Sequence, residues 1–369
     1  QVIYDERSPK YVDHLNKTFY FLEDGRCFIV REETSTGYMH LYLYGIGQGV
    51  LHPITQGEWE VTDFVGLRGD KVYYISTESS PLKRDLYRVG LDGKHKERLT
   101  PGDGYYSIYP SADLSYYICE GGDSSAPGRT DVFNAAGKRV RTLYDNAPLK
   151  EALVEAGLPV REFFTFTTER GDELNGYMLK PLDFDPAKRY PVLLTQYSGP
   201  GSQQVAEGWG PDWEDALVTH GYIVVCVDPR GTGYRGEEFK KLTYGNLGRL
   251  EVEDQISTAR YMARQSYVDP ARIGIYGWSY GGFMALGCAF RGEGLFKMAI
   301  AVAPVTSWRY YDSIYTENFN GLPDDYPKGY DDNSPVNLAH LFRDDSTRLL
   351  IVHGTADDNV HFQNTMEMA

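Results

Sequence analysis

The pentapeptide Gly277-Trp278-Ser279-Tyr280-Gly281 constrains this chain more than any other stretch. Before it runs Arg272-Ile273-Gly274-Ile275-Tyr276, with the apolar, β-branched character of a core strand, and after it Gly282-Phe283-Met284-Ala285-Leu286 opens a helical pattern. A G-x-S-x-G turn between strand and helix is so tight that side chains at its flanks would strike neighbouring backbone, hence a glycine on each side. The turn lifts Ser279 above the C-terminal edge of a sheet, where open α/β sheets bind ligands.

The surrounding sequence supplies that sheet. Runs at 190–197, 222–227, 273–276, Met298–Val302 and 349–352 are apolar and of core-strand length, and helical patterns lie between them at Trp213–Thr219, 252–265 and 282–290. Near-continuous apolar strands separated by helices imply a parallel sheet covered on both faces. Residues 162–369 are therefore expected to form a doubly wound, mostly parallel α/β domain of the hydrolase type. Ahead of it, 146–161 reads as a linker with a short helix, Ala147–Ala156, stopped by Gly157 and Pro159.

The first third has a different grammar. His40-Leu41-Tyr42 leading to Ile54-Thr55 is echoed by Asp85-Leu86-Tyr87 leading to Leu99-Thr100, and a third copy starts at Asp131-Val132-Phe133. The copies are spaced by about 45 residues, each with a β-rich run ahead of it at 27–30, 72–75 and 116–119. Aromatic and β-branched alternation at this period is the signature of propeller blades, each a four-stranded antiparallel sheet. Residues 1–145 are thus expected to be blades of an all-β propeller. Three copies cannot close a ring, so the remaining blades are expected upstream of Gln1. The absence of an initiator Met points the same way.

Composition narrows the function. At 369 residues the chain exceeds one ordinary core, and 41% hydrophobic with 24% charged residues describes a globular protein, not a disordered one. The net charge of −15 argues against nucleic acid as a partner, because such binding needs cations to neutralise phosphates. No apolar run approaches the ~20 residues that span a bilayer, and Gln1 to Lys10 lack the apolar region of a signal peptide. The four cysteines, Cys27, Cys119, Cys226 and Cys288, form no C-x-x-C pair and no disulfide framework. Cys226 and Cys288 read as buried small hydrophobes. No metal and no cofactor is called for.

A serine hydroxyl is a poor nucleophile until a base takes its proton, and the base needs an orienting acid. In hydrolases of this type the chain order is Ser, acid, His. The loop His353-Gly354-Thr355-Ala356-Asp357-Asp358-Asn359 follows a late core strand, so Asp357 or Asp358 shares the sheet edge with Ser279. The base is harder to place: His353 ends a strand and suits a local hydrogen bond, and His361 follows the acids by only a few residues. Neither falls in the loop after the next strand, where the base belongs.

Several longer strings carry a resemblance. Gly277-Trp278-Ser279-Tyr280-Gly281-Gly282, Ala303-Pro304-Val305, Trp308, Tyr310-Tyr311-Asp312-Ser313, Tyr315-Thr316-Glu317 and His353 through Phe362 are similar to the prolyl oligopeptidase family of serine peptidases, in its dipeptidyl peptidase IV branch. Tyr197-Ser198-Gly199-Pro200, Asp228-x-Arg230-Gly231, Glu251-Val252-Glu253-Asp254-Gln255 and Gly57-Glu58-Trp59-Glu60-Val61 extend the resemblance over nearly the whole chain. It implies an eight-bladed propeller over an α/β-hydrolase domain, and removal of dipeptides from free N-termini after Pro or Ala through an acyl-enzyme. It implies Ser279 as nucleophile, Asp357 as triad acid, and Tyr197 with the backbone N–H of Tyr280 as oxyanion donors. Tyr280, Val305, Trp308, Tyr311, Tyr315 and Val360 would form the pocket for the penultimate residue, and Asn359 would bind that residue's carbonyl. The catalytic His would then lie beyond Ala369 and the carboxylates that hold the substrate amine before Gln1, so this chain by itself is expected to be inactive. Peptides with a free N-terminus are the implied partners. A homodimer and a periplasmic, secreted or membrane-anchored location are also implied. A tripeptidyl or oligopeptidase of the same family, and a non-catalytic interaction module, are the alternatives.

Overall fold

A computed structural model describes residues 2–13 and 17–369; Gln1 and residues 14–16 of the expected blade segment lie outside the described residues. The chain divides into two compact units, one comprising residues 1–157, 206–210 and 234–238, the other 158–205, 211–233 and 239–369.

In the first unit three antiparallel sheets of four strands follow one another along the chain: β1 (Thr18–Phe21), β2 (Cys27–Glu32), β3 (His40–Gly45) and β4 (Gly49–Pro53); β5 (Val61–Arg68), β6 (Lys71–Ser76), β7 (Asp85–Gly90) and β8 (Glu97–Arg98); β9 (Tyr105–Pro110), β10 (Tyr116–Gly122), β11 (Arg129–Asn134) and β12 (Arg139–Tyr144). Each has the meander order of a propeller blade, and the repeat seen in the sequence is this meander. Alternation decides how the blades pack. On β6, Val72 and Tyr74 face a core with Ile29, Leu41 and Leu43 of the first blade, whereas Tyr73 and Ile75 face Tyr106, Tyr117 and Phe133 of the third. The middle blade is therefore apolar on both faces, which is why 72–75 reads as an unbroken apolar run. Helix α1 (Ala147–Ala156) closes the first segment of this unit, with the Gly157 N–H, at φ 66, bonding back to Leu153 O.

The second unit is a seven-stranded sheet: β13 (Glu162–Thr167), β14 (Glu173–Leu179), β15 (Tyr190–Thr195), β16 (Ile223–Asp228), β17 (Val268–Trp278), β18 (Met298–Val302) and β19 (Arg348–Val352), in the spatial order β13-β14-β16-β15-β17-β18-β19. β13 and β14 form an antiparallel hairpin, and β14 pairs antiparallel with β16; the other strands are parallel. Helices α2 (Trp213–Thr219), α3 (Glu237–Lys240), α4 (Arg249–Ala263), α5 (Tyr280–Arg291) and α6 (Ser313–Asn320) follow in the connections. Central strands and helix α5 supply the core: Val192, Leu194, Ile223, Val225, Ile273, Ile275, Met284 and Leu286 are all at most 1% exposed. Among the described residues no helix is long and apolar enough to cross a membrane. All four cysteines are free, and Cys226 and Cys288 are buried, matching their reading as small hydrophobes.

The parallel register sets the site. Thr195 lies beside Tyr276, Trp278 beside Val302, and Val302 beside Val352. Residues that follow β15, β17, β18 and β19 therefore leave the sheet at one edge and at one level.

Candidate active site

Ser279 is the first residue past β17 and has φ 59 and ψ −115, a backbone state that non-glycine residues rarely adopt. The strain persists because both sides are fixed: the Ser279 N–H donates to Val302 O at 2.9 Å, and its carbonyl accepts from Phe283 N at 3.1 Å, starting α5. A Cβ at position 277 would come within 2.2 Å of Gly281 O, and one at position 281 within 2.4 Å of Gln196 O. The flanking glycines are thus required by the close approach of three backbone segments.

Tyr197 leaves β15 at the same level. Its N–H donates to Gln204 Oε1 at 2.6 Å, and its ring stands 5.9 Å from that of Tyr280. Burial raises the Tyr197 hydroxyl pKa, Tyr311 adds to the effect, and a hydrogen bond with Tyr315 opposes it. The phenol is accordingly a neutral donor at ordinary pH. Behind it, Gln196 ties the two turns together: its Nε2 donates to Gly281 O at 2.8 Å and its Oε1 accepts from Ser198 Oγ at 2.9 Å.

The residues after β18 and β19 complete an aromatic enclosure. Trp308 is 1% exposed, with its ring 5.3 Å from Tyr280, 6.0 Å from Tyr311 and 6.0 Å from Tyr315, the last nearly parallel. Tyr311 and Tyr315 meet edge-on at 5.5 Å. Val305 and Val360 are buried in the same core cluster. The Tyr311 hydroxyl donates to Asn359 Oδ1 at 3.0 Å, which leaves the Asn359 amide N–H groups pointing elsewhere.

Of the two acids after β19, Asp357 is the one held in place. Its Oδ1 accepts the N–H groups of Asn359 and Val360, each at 3.0 Å, while Asp358 is exposed. His353 Nε2 lies 3.5 Å from Asp357 Oδ2, but its ring is engaged on both sides, Nδ1 with Thr365 Oγ1 and Nε2 with Val360 O, each at 2.7 Å. His361 is exposed, in the turn before the final helix Gln363–Met368. Among the described residues no group of three or more His, Cys, Asp and Glu side chains converges as a metal site would.

The sequence reading assigned no role to Gln196, Ser198, Glu251 or Gln255. Ser198 is buried at φ 68. The Tyr280 hydroxyl donates to Glu251 at 2.7 Å, and burial raises the Glu251 pKa to about 7 against the pull of that bond and of the Gly248 N–H. Polar residues recurring among the apolar positions of α4 were the available signal.

Residues 209–369 match the pattern of the prolyl oligopeptidase family, and residues 1–127 that of the dipeptidyl peptidase IV (DPP IV) N-terminal region. A probable dipeptidyl-aminopeptidase B of Emericella nidulans is 40% identical over 343 residues, 90% of this chain and 37% of the relative. Dipeptidyl-aminopeptidase B of Aspergillus niger is 41% identical over 340 residues, 89% of this chain and 37% of the relative. The crystal structure of Porphyromonas gingivalis dipeptidyl peptidase 4 superposes with a TM-score of 0.92 at 42% identity, covering 98% of this chain and 51% of that one. A putative dipeptidyl aminopeptidase IV from Bacteroides ovatus gives 0.89 at 28% identity, covering 98% and 54%. The chain thus spans 37% of the length of these curated relatives.

Proposed function

The chain belongs to the prolyl oligopeptidase family of serine peptidases, and from that premise we propose that the full-length protein releases dipeptides with Pro or Ala in the second position from free N-termini. Ser279 Oγ adds to the carbonyl carbon of the second residue. Its proton passes to a histidine C-terminal to Asp357 and then to the leaving amine as the C–N bond breaks. Water hydrolyses the acyl-enzyme by the reverse use of the same base. His353 does not serve as that base, since both of its ring nitrogens are already bonded. Asp357, held by two backbone N–H groups, orients the histidine.

The Tyr197 hydroxyl and the Tyr280 N–H receive the negative charge that develops on the carbonyl oxygen. Removing one such donor raises the barrier by about 3–4 kcal/mol. The aromatic faces of Tyr280, Trp308, Tyr311 and Tyr315 suit a flat five-membered ring or a methyl group, and exclude longer side chains by their mutual contacts. The substrate's α-ammonium is a cation approaching a chain of net charge −15.

The observation that carries this reading is Ser279 in a strained turn beside that enclosure. A fluorophosphonate probe should label full-length protein at Ser279, and a Ser279→Ala variant should remain unlabelled and lose turnover by about a million-fold. Mass spectrometry of products from Xaa-Pro and Xaa-Ala peptides should show dipeptides. Tripeptides would move the specificity to the tripeptidyl class, and a folded protein without Ser279 labelling would end the serine-peptidase reading.

A further inference from the structure

The string Glu251-Val252-Glu253-Asp254-Gln255 opens helix α4, which contributes no side chain to the reaction described above. A run with three acids in five residues reads as a solvated face, yet Glu251 and Asp254 are 0% exposed and Gln255 is 1% exposed. Burial of polar groups on this scale costs free energy unless each group is bonded, so their partners reveal what they hold.

Two of them reach the two sides of the site. Glu251 accepts the Tyr280 hydroxyl at 2.7 Å, and it also takes the Gly248 N–H at 3.1 and 3.0 Å. One helical turn later, Gln255 Nε2 donates to Ser198 Oγ at 3.2 Å and to Val227 O at 3.0 Å. Ser198 in turn donates to Gln196 Oε1, closing a chain that ends on Gly281 O inside the nucleophile turn. The i and i+4 positions of one helix lie on one face, so a single rigid element grips both structures at once.

What they grip are the two groups assigned above to the oxyanion. Tyr280 supplies a backbone N–H, and its ring is a wall of the enclosure. Tyr197 is followed directly by Ser198, whose positive φ of 68 requires a fixed turn. Asp254, between the two, is occupied elsewhere: it takes the Arg230 side chain through three contacts of 2.7–3.1 Å and the Arg230 N–H at 2.8 Å. Gln255 Oε1 is buried and finds no partner among the described residues. A leucine would avoid that cost, so the amide is retained for the bonds that its nitrogen makes.

We propose that Glu251 and Gln255 are positioning residues that set the spacing of the two oxyanion donors, Glu251 through the Tyr280 hydroxyl and Gln255 through the turn at Ser198. The inference rests on the serine-peptidase reading, because it needs an oxyanion to be bound between Tyr197 and Tyr280. Displacing a donor by a fraction of an ångström weakens it most in the transition state, where charge is greatest, and little in the ground state. The effect belongs in kcat and not in KM.

The test is steady-state kinetics on full-length protein with an Xaa-Pro chromogenic dipeptide, each rate divided by the sites titrated with a fluorophosphonate. Glu251→Leu, Gln255→Leu and Tyr280→Phe should each lower kcat by about 10- to 100-fold with KM within about two-fold. Glu251→Leu combined with Tyr280→Phe should lose no more than the worse single variant, because both break the same bond. Glu251→Leu combined with Gln255→Leu should lose more. General loosening of the fold would lower the number of titrated sites and leave kcat per site unchanged, and that result overturns the proposal. Should Glu251→Leu fail to fold, Tyr280→Phe, which removes one oxygen, decides: an unchanged kcat refutes the role of the bond. Failure of the wild type to label at Ser279 would instead overturn the functional reading on which the inference stands.

Discussion

Glu251 offers a prediction that is independent of catalysis. Burial holds its carboxyl at about 7 in the folded protein, against 4.5 when unfolded, because the hydrogen bonds from Tyr280 and Gly248 recover only part of the lost hydration. Between those two values the native state carries a proton that the unfolded state has released. Stability must therefore fall as pH rises from about 4.5 to 7 and then level off. Each pH unit in that window is worth about 1.4 kcal/mol, so the group removes about 3 kcal/mol in total. Glu251→Gln is neutral throughout, and whatever constant cost it brings at the Gly248 N–H does not vary with pH. Asp254, whose carboxyl is also raised by burial and pulled back by Arg230, is present in both proteins and cancels in the difference. The assay is urea unfolding at several pH values between 4.5 and 8, read by tryptophan fluorescence; buried Trp308, 5.3 Å from Tyr280, reports on this part of the core. Wild type should lose about 3 kcal/mol relative to the variant across the window. Parallel curves, or wild type gaining with pH, would refute the reasoning.

Two other perturbations follow from contacts already described. Gly277→Ala puts a methyl group 2.2 Å from Gly281 O and 2.4 Å from Gln196 Nε2, so the melting temperature should drop with a loss of about 3 kcal/mol and probe labelling of Ser279 should disappear; unchanged labelling would show that the turn can relax. Arg230→Ala strands the buried Asp254 carboxylate and should cost about 3–5 kcal/mol in chemical denaturation, whereas Arg230→Met with Asp254→Leu should cost less than either single change; a double variant worse than both would contradict this.

Much of the architecture was legible because local chemistry and tertiary role coincide. The β17–Ser279–α5 turn can be read directly, since a Cβ at 277 or 281 would lie within 2.4 Å of neighbouring backbone oxygen. The three blades can be read because alternation and turn residues repeat with the meander. Boundaries shifted where a tertiary bond intervened. α4 begins at Arg249, not 252, because the Glu251 carboxylate reaches back to the Gly248 N–H and caps the helix, and β15 ends at Thr195 because the chain must turn at Ser198. The hairpin β13–β14 is not among the strands read from the sequence, and its pairings show that β14 runs antiparallel to both β13 and β16.

Sequence alone singled out the candidates for chemistry: Ser279 by its turn, and an acid at 357 or 358 by its place after a late strand. Those inferences depend on spacing along the chain, which needs no fold to be read. Tertiary structure gives the two acids different surroundings, since Asp357 receives the backbone N–H groups of Asn359 and Val360 while Asp358 is exposed. It also decided that Glu251 and Asp254 of the acidic run on α4 lie inside the protein. Burial is a property of what packs against a residue, and the partners of Glu251 and Gln255 lie 29 and 57 positions away in the chain, beyond the reach of any local pattern.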